Sequence, residues 1–145
     1  MDNKKLNARR IQTVKNHMAF EISKDWDAVI DTFEHPRYEL YGTGTVFDGE
    51  NEVRNYFITS RIPFPDQANE IISIAADGDF VLVEFWLTGT HLGDLRLRGG
   101  EVVKPSGKKF RVRMAASFEF APGSHKIICE RPYFDQSAIS RALEL

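Results

Sequence analysis

The run that most constrains this chain is residues 108–120. Phe110, Val112, Met114, Ala116, Phe118 and Phe120 alternate there with Arg111, Arg113, Ala115, Ser117 and Glu119. Successive side chains of a strand point to opposite faces, so this spacing predicts a long strand with one buried face. Its neighbours in sequence read the same way. Residues 67–76 carry Ile71, Ile72 and Ile74, and Asp77-Gly78 is a hairpin signal. Residues 79–91 set Val81, Val83, Phe85 and Leu87 against Leu82, Glu84, Trp86 and Thr88. Pro122-Gly123 turns the chain into a last strand over 126–134. Residues 92–107 hold Gly93, Gly99, Gly100, Pro105 and Gly107, which predicts a long loop able to act as a lid.

The first part of the chain repeats at helical spacing instead. Ile11, Val14, Met18 and Ile22 recur over residues 3–23, with charges between them. Asp25 caps a second, short helix with the stripe Trp26, Val29, Ile30 and Phe33, which His35-Pro36 ends. Arg37–Tyr41 reads as a short strand broken by Gly42 and Gly44. Asp48 is the expected N-cap of a third helix, whose Val53, Tyr56 and Phe57 face the core and which Pro63 and Pro65 close. A short closing helix is expected over 136–143. Helices segregated from an antiparallel sheet make an α+β domain. A strongly bent sheet wrapped over the N-terminal helices leaves a cavity between them. At 145 residues the chain is expected to form one domain, 1–145.

Eleven Phe, two Trp and four Tyr are more aromatic surface than such a core needs, which fits a ligand pocket or an apolar interface. A net charge of −2 gives no general attraction to nucleic acid. The basic residues Lys4, Lys5, Arg9, Arg10, Lys15 and Lys24 read as a solvated helix face. Cys129, the only cysteine, excludes an intramolecular disulfide and sits among apolar neighbours as an inert buried thiol. With no apolar segment of signal-peptide or membrane-span length, a cytoplasmic protein without a membrane partner is expected. The four histidines form neither a His-x-His pair nor an HExxH helix, and no phosphate loop, GxSxG elbow or dinucleotide fingerprint occurs. No metal and no cofactor are therefore expected.

Several segments in order resemble the SnoaL-like polyketide cyclases of the nuclear transport factor 2-like superfamily. They are the helical start, His35-Pro36-Arg37-Tyr38-Glu39-Leu40-Tyr41, Gly49–Phe57, Phe64-Pro65-Asp66, Gly89-Thr90-His91-Leu92-Gly93, Gly107-Lys108-Lys109-Phe110 and Tyr133-Phe134-Asp135. The resemblance runs from about residue 10 onward. It implies an α+β cone of the cystatin-like type with a deep apolar pocket, assembled as a homodimer through the sheet. It implies ring closure by intramolecular aldol condensation without metal or cofactor. It also implies an acidic general acid/base near the C-terminus, the position Asp135 occupies. The chain departs from the pattern in carrying Phe134 where many members have Trp, and no histidine falls in the strand 108–120.

Asp135 is thus the first catalytic candidate. An apolar surrounding would raise its pKa toward neutrality, whereas a role as N-cap of the closing helix would hold it as an anion. His35, before a proline, is either a second acid or base at the pocket mouth or a helix terminator. His91, between glycines, is either a catalytic group or a loop histidine. His17 and His125 read as surface residues. Trp26, Tyr38, Tyr41, Tyr56, Phe85, Arg113 and Tyr133 are the candidates to line a substrate pocket, the tyrosines as oxyanion donors or as core residues with a hydroxyl at the rim. Glu84, Arg111, Arg113, Glu119, Glu130 and Arg131 read as cross-strand ion pairs, with a ligand-binding role for Arg113 or Glu84 as the alternative.

The expected function is proton abstraction next to the carbonyl of a small apolar molecule, leading to cyclisation or isomerisation. The alternatives are a non-catalytic binding or scaffold protein of the same fold, and hydration or epoxide opening by a carboxylate pair with an arginine between them.

Overall fold

Helix α1 spans Asn3–Ser23 in the computed structural model, which describes residues 2–135 and 137–145. Asp2 starts it by accepting the Lys5 N–H at 2.8 Å. Lys24 ends it in the left-handed conformation, its N–H returning to the carbonyls of Phe20 and Glu21. The buried stripe is Arg10, Val14, His17 and Met18, not the expected row ending at Ile22, which is 43% exposed. The face of α1 that meets the sheet is rotated from the purely apolar row and carries two polar side chains inward. Helix α2, Trp26–Asp31, is capped by Asp25 as expected.

Strands β1 (Arg37–Glu39) and β2 (Val46–Asp48) pair antiparallel and lead into α3, Glu50–Ser60. Here the expected cap shifts by one residue. Gly49, at φ 88°, occupies the cap position, and Glu52 reaches back to the Asp48 N–H at 2.9 Å. The Asp48 carboxylate is instead held by His35 and Arg37.

The long strands follow: β3 (Ala68–Asp77), β4 (Phe80–Thr90), β7 (Lys109–Phe120) and β8 (Ile127–Tyr133). The main sheet has the order β2-β1-β8-β7-β4-β3. It is antiparallel except where β1 meets β8, with Tyr38 beside Glu130 in a parallel pair. Register irregularities at Ile71/Ser73 and Glu119/Phe120 bend it. The expected long loop at 92–107 contains a two-stranded ribbon, β5 (Leu95–Arg96) with β6 (Val102–Val103). The closing helix α4 is confined to Ala138–Ala142, and Gln136 of its expected range lies outside the described residues.

The inner face of the sheet packs on the helices through Val81, Val83, Phe85, Ala116 and Phe118 against Val14, Met18, Val29 and Phe57. The alternation predicted for 79–91 and 108–120 is the observed burial pattern. The fold is α+β, with N-terminal helices held by a curved sheet. No helix among the described residues is long and apolar enough to cross a membrane.

Candidate functional site

Helices and inner sheet face enclose a cavity of about 220 Å³. Its walls are largely apolar, with Met18, Phe57, Phe85, Leu87, Met114 and Phe118 among them. Polar groups meet at one place on its wall, with His17 behind them. His17 and Glu21 lie one turn apart on α1, Tyr38 comes from β1, and Glu130 comes from its partner position on β8. Arg61 enters from the end of α3.

His17 is fully buried. The Thr32 hydroxyl donates to the Val29 carbonyl at 2.6 Å, so its oxygen is left to accept the Nδ1–H of His17 at 2.8 Å. The other ring nitrogen, Nε2, faces Glu130 Oε1 at 2.8 Å, Glu21 Oε1 at 2.9 Å and the Tyr38 hydroxyl at 3.0 Å. Tyr38 donates its own proton to Glu21 Oε1 at 2.8 Å. One N–H cannot serve three oxygens, and Glu130 Oε1, although close, has no hydrogen-bond partner among the described residues.

The charges follow from this crowding. Burial opposes a charged His17, but the neighbouring carboxylates of Glu130 and Glu21 outweigh it and raise its pKa to about 9. Burial also opposes the Glu21 anion, yet His17, Arg61 and the Tyr38 hydroxyl together hold its carboxyl well below the usual range. Glu130 moves the other way, raised first by burial and further by the charge of Glu21 against the pull of His17. Two carboxylates in one site are thus driven apart, the Glu21 anion being favoured and the Glu130 anion disfavoured. Tyr56 lines the same cavity with its ring stacked on Phe47 at 4.7 Å, and burial raises its pKa. Its hydroxyl has no protein partner among the described residues.

His17, Glu21 and Glu130 are also the group whose donor atoms converge as metal ligands would, within 4.8 Å of one another. Arg61 and the His17 imidazolium already supply positive charge at that point.

The residues expected to act do not all meet here. Asp135 is exposed and does not line the cavity. It accepts from the Ser137 N–H at 3.0 Å and the Ser137 hydroxyl at 2.9 Å, and it pairs with Arg141. Those contacts, Arg141 first, hold its carboxyl down at about 2. The environment is that of an exposed local anion ahead of the closing helix, and of the two expected surroundings it is not the apolar one. His35 is exposed and 2.9 Å from Asp48. His91 is fully buried, but beneath the 92–108 segment, where Nδ1 meets the Ser106 hydroxyl at 2.9 Å. His17, expected at the surface, is fully buried and backs the lining residues Glu21, Tyr38 and Glu130 without itself lining the cavity.

Among the expected lining residues, Tyr38, Tyr56 and Phe85 are in place. Trp26 stands one layer behind, stacked on Phe57 at 5.0 Å. Tyr41 and Tyr133 stack on each other at 4.7 Å and are 49% and 45% exposed. Arg113 lies on the outer sheet face, bound to Glu84 at 3.1 Å and close to Trp86. Glu130, expected in a cross-strand ion pair, points inward, while its neighbour Arg131 takes the outer face with Glu39 and Glu119.

Residues 14–128 match the SnoaL-like domain family. Among solved structures, a candidate SnoaL-like polyketide cyclase from Jannaschia sp. CCS1 is 21% identical with a TM-score of 0.81, over 98% of this chain and 96% of that one. IdmH, a candidate polyketide cyclase from Streptomyces antibioticus, is 19% identical with a TM-score of 0.77, over 94% and 99%. A Catenulispora acidiphila protein with a ketosteroid isomerase-like fold, in complex with trimethylamine, is 17% identical with a TM-score of 0.75, over 92% of each chain. At these identities the likeness shows the fold. No curated protein is significantly similar to the chain. The match over most of its length places this chain in the SnoaL-like domain family, with the fold of the nuclear transport factor 2-like superfamily.

Proposed function

We propose that this protein is a cofactor-independent acid/base catalyst that moves a proton next to the carbonyl of a small apolar molecule, in a cyclisation or an isomerisation. The observation that carries the reading is the pairing of Glu21 and Glu130 around His17 Nε2 on an apolar cavity wall. Glu130 is the proton acceptor, because its pKa lies raised toward the working pH, where a base is most effective. It takes the proton from the carbon beside the carbonyl, and the C–H electron pair passes into an enolate. The Tyr56 hydroxyl hydrogen-bonds the enolate oxygen. The Glu130 acid then returns its proton to a different carbon in an isomerisation. In a cyclisation the enolate carbon attacks a second carbonyl and the new alkoxide receives the proton. His17, held by Thr32 and paired with Glu21, steadies the Glu130 carboxylate before the proton is taken and again once it has been returned.

The test uses 2-tetralone in D2O, with deuterium entry beside its carbonyl followed by proton NMR. The expected result is exchange well above the buffer rate, suppressed in Glu130→Gln. Exchange at the buffer rate with the wild-type protein, or an unaffected variant, refutes the reading.

A second reading rests on a specific contact. Arg61 Nη2 lies 3.4 Å from Glu21 Oε2, so the cavity holds a carboxylate pair with an arginine beside one member. That set suits addition of water to an epoxide or alkene. Epoxide opening in the absence of tetralone exchange selects it.

The outer face of the sheet supports a homodimer as the assembled form. Leu82 is 53% and Ile72 is 39% exposed there, beside Trp86 and the Tyr41–Tyr133 stack.

A further inference from the structure

Arg61 is only 8% exposed, yet the polar groups around it leave its guanidinium largely unoccupied. Of the five N–H groups an arginine carries, two find acceptors. Nη1 donates to the Ser60 hydroxyl at 2.9 Å, and Nη2 reaches Glu21 Oε2 at a long 3.4 Å. Nε is buried with no partner among the described residues. The aromatic rings of Trp26 at 5.3 Å and Phe57 at 5.9 Å fix the plane of the group beside the cavity it lines. Its one anionic partner among the described residues is shared: Glu21 also serves His17 at 2.9 Å and Tyr38 at 2.8 Å. Two cationic side chains thus divide one carboxylate, and the other carboxylate of the site, Glu130, faces His17 and not Arg61. A buried cation so placed lacks part of its counter-charge.

We propose that Arg61 is a specificity-determining residue that anchors an acidic oxygen, a carboxylate or the oxyanion of an acidic enol, on a flat apolar ligand in this cavity. The planar fork of the guanidinium matches an oxygen on a planar carbon and binds it by charge-assisted hydrogen bonds. The volume agrees with a flat ligand of one or two rings, since a cavity of roughly 150 Å³ accepts benzene and this one measures about 220 Å³. Anchoring there sets the remainder of the ligand beside Glu130, so the inference rests on the proton-transfer reading for its consequence but not for its test.

The test is binding alone. In a Trp86→Phe background, which changes only the outer face, Trp26 reports on the cavity by fluorescence quenching. The probes are 2-hydroxy-1,4-naphthoquinone and 1-naphthoic acid, each against its methylated counterpart. At least one acid is expected to bind about tenfold tighter than its methyl form, and the pair that shows the preference tells enol from carboxylate. Arg61→Gln is expected to abolish the preference. Should circular dichroism show that variant unfolded, Arg61→Lys is expected to reduce it at least about threefold by removing the fork while keeping the charge. Equal binding of acid and methyl form by the wild-type cavity, or a preference that survives in the folded variant, overturns the proposal. Either result leaves the deuterium exchange at 2-tetralone to decide the catalytic reading separately.

Discussion

Glu130, in the middle of β8, and Asp135, two residues past its end, stand five residues apart and have opposite surroundings. Glu130 is on the inner face, raised by burial, while Asp135 is in water and held down by Arg141 and Ser137. Glu130→Gln is therefore expected to lower deuterium exchange at 2-tetralone by about 10²–10⁴-fold, the range for loss of a general base. Asp135→Asn is expected to leave the same rate within about threefold, as for an exposed group away from the chemistry. Residue identity alone could not separate the two carboxylates, since the difference is that Glu130 takes the inner face of β8 while Asp135 lies beyond the strand beside Ser137 and Arg141. The alternation of β8 carried the clue: Pro132 and Glu130 share a face with the cavity, and Arg131 does not. His17 and Glu21 left a similar trace. Spaced four apart, they sit on the same side of α1 as Val14 and Met18, where a polar pair interrupts an apolar stripe. That stripe reads as core unless the tertiary partners of the pair are known.

At the level of elements, the strands were the most legible part because period two leaves little choice of face. The helices were placed correctly, but α1 was rotated, since Arg10 and His17 are buried polar residues that no hydrophobic pattern predicts. Arg10 shows what holds that orientation. It donates to the carbonyls of Ser124, Gly78 and Ala121 at 2.8, 3.1 and 3.0 Å and pairs with Asp79 at 3.1 Å. It thereby ties α1 to the β3–β4 and β7–β8 turns. Arg10→Ala removes the shared charged donor of three turn carbonyls and is expected to cost about 3 kcal/mol in urea unfolding. The 92–107 segment was read as an open loop, but its start is fixed by contact. A Cβ on Gly93 would stand 2.0 Å from the Ile62 carbonyl oxygen, which no side chain can tolerate. Gly93→Ala is expected to lower the melting temperature by displacing that segment from α3's end.

For the whole molecule, the cavity exists because α+β packing leaves space between bent sheet and helices, and the order of helices and strands made that legible. Tyr38, Tyr56 and Phe85 were legible as lining, but the cluster of His17, Glu21, Arg61 and Glu130 was not, because it assembles from α1, the end of α3 and β8, which are distant in sequence. The same cluster makes global stability depend on pH. The folded state raises His17 from 6.5 to about 9, so its contribution is complete below pH 6.5 and is lost as pH rises toward 9. Glu130, also raised, acts in the same direction. The loss is on the order of 3 kcal/mol, or roughly 10 °C in melting temperature between pH 6.5 and 9. A His17→Gln protein, less stable throughout, is expected to show a flatter profile by calorimetry. Light scattering at micromolar concentration is expected to give a dimer, and Leu82→Arg on the outer face to give a monomer with the cavity unchanged.

The central claim is that Glu130, beside an imidazolium, is the proton-exchanging group of the cavity. Carboxyl-carbon NMR titration of labelled protein measures it directly. The account predicts a Glu130 midpoint above the ordinary glutamate value of about 4.3, with the Glu21 carboxyl remaining ionised throughout the range in which Glu130 titrates. A Glu130 midpoint at or below that value would mean a carboxylate fixed as an anion in an ion pair, and would contradict the assignment of Glu130 as the base.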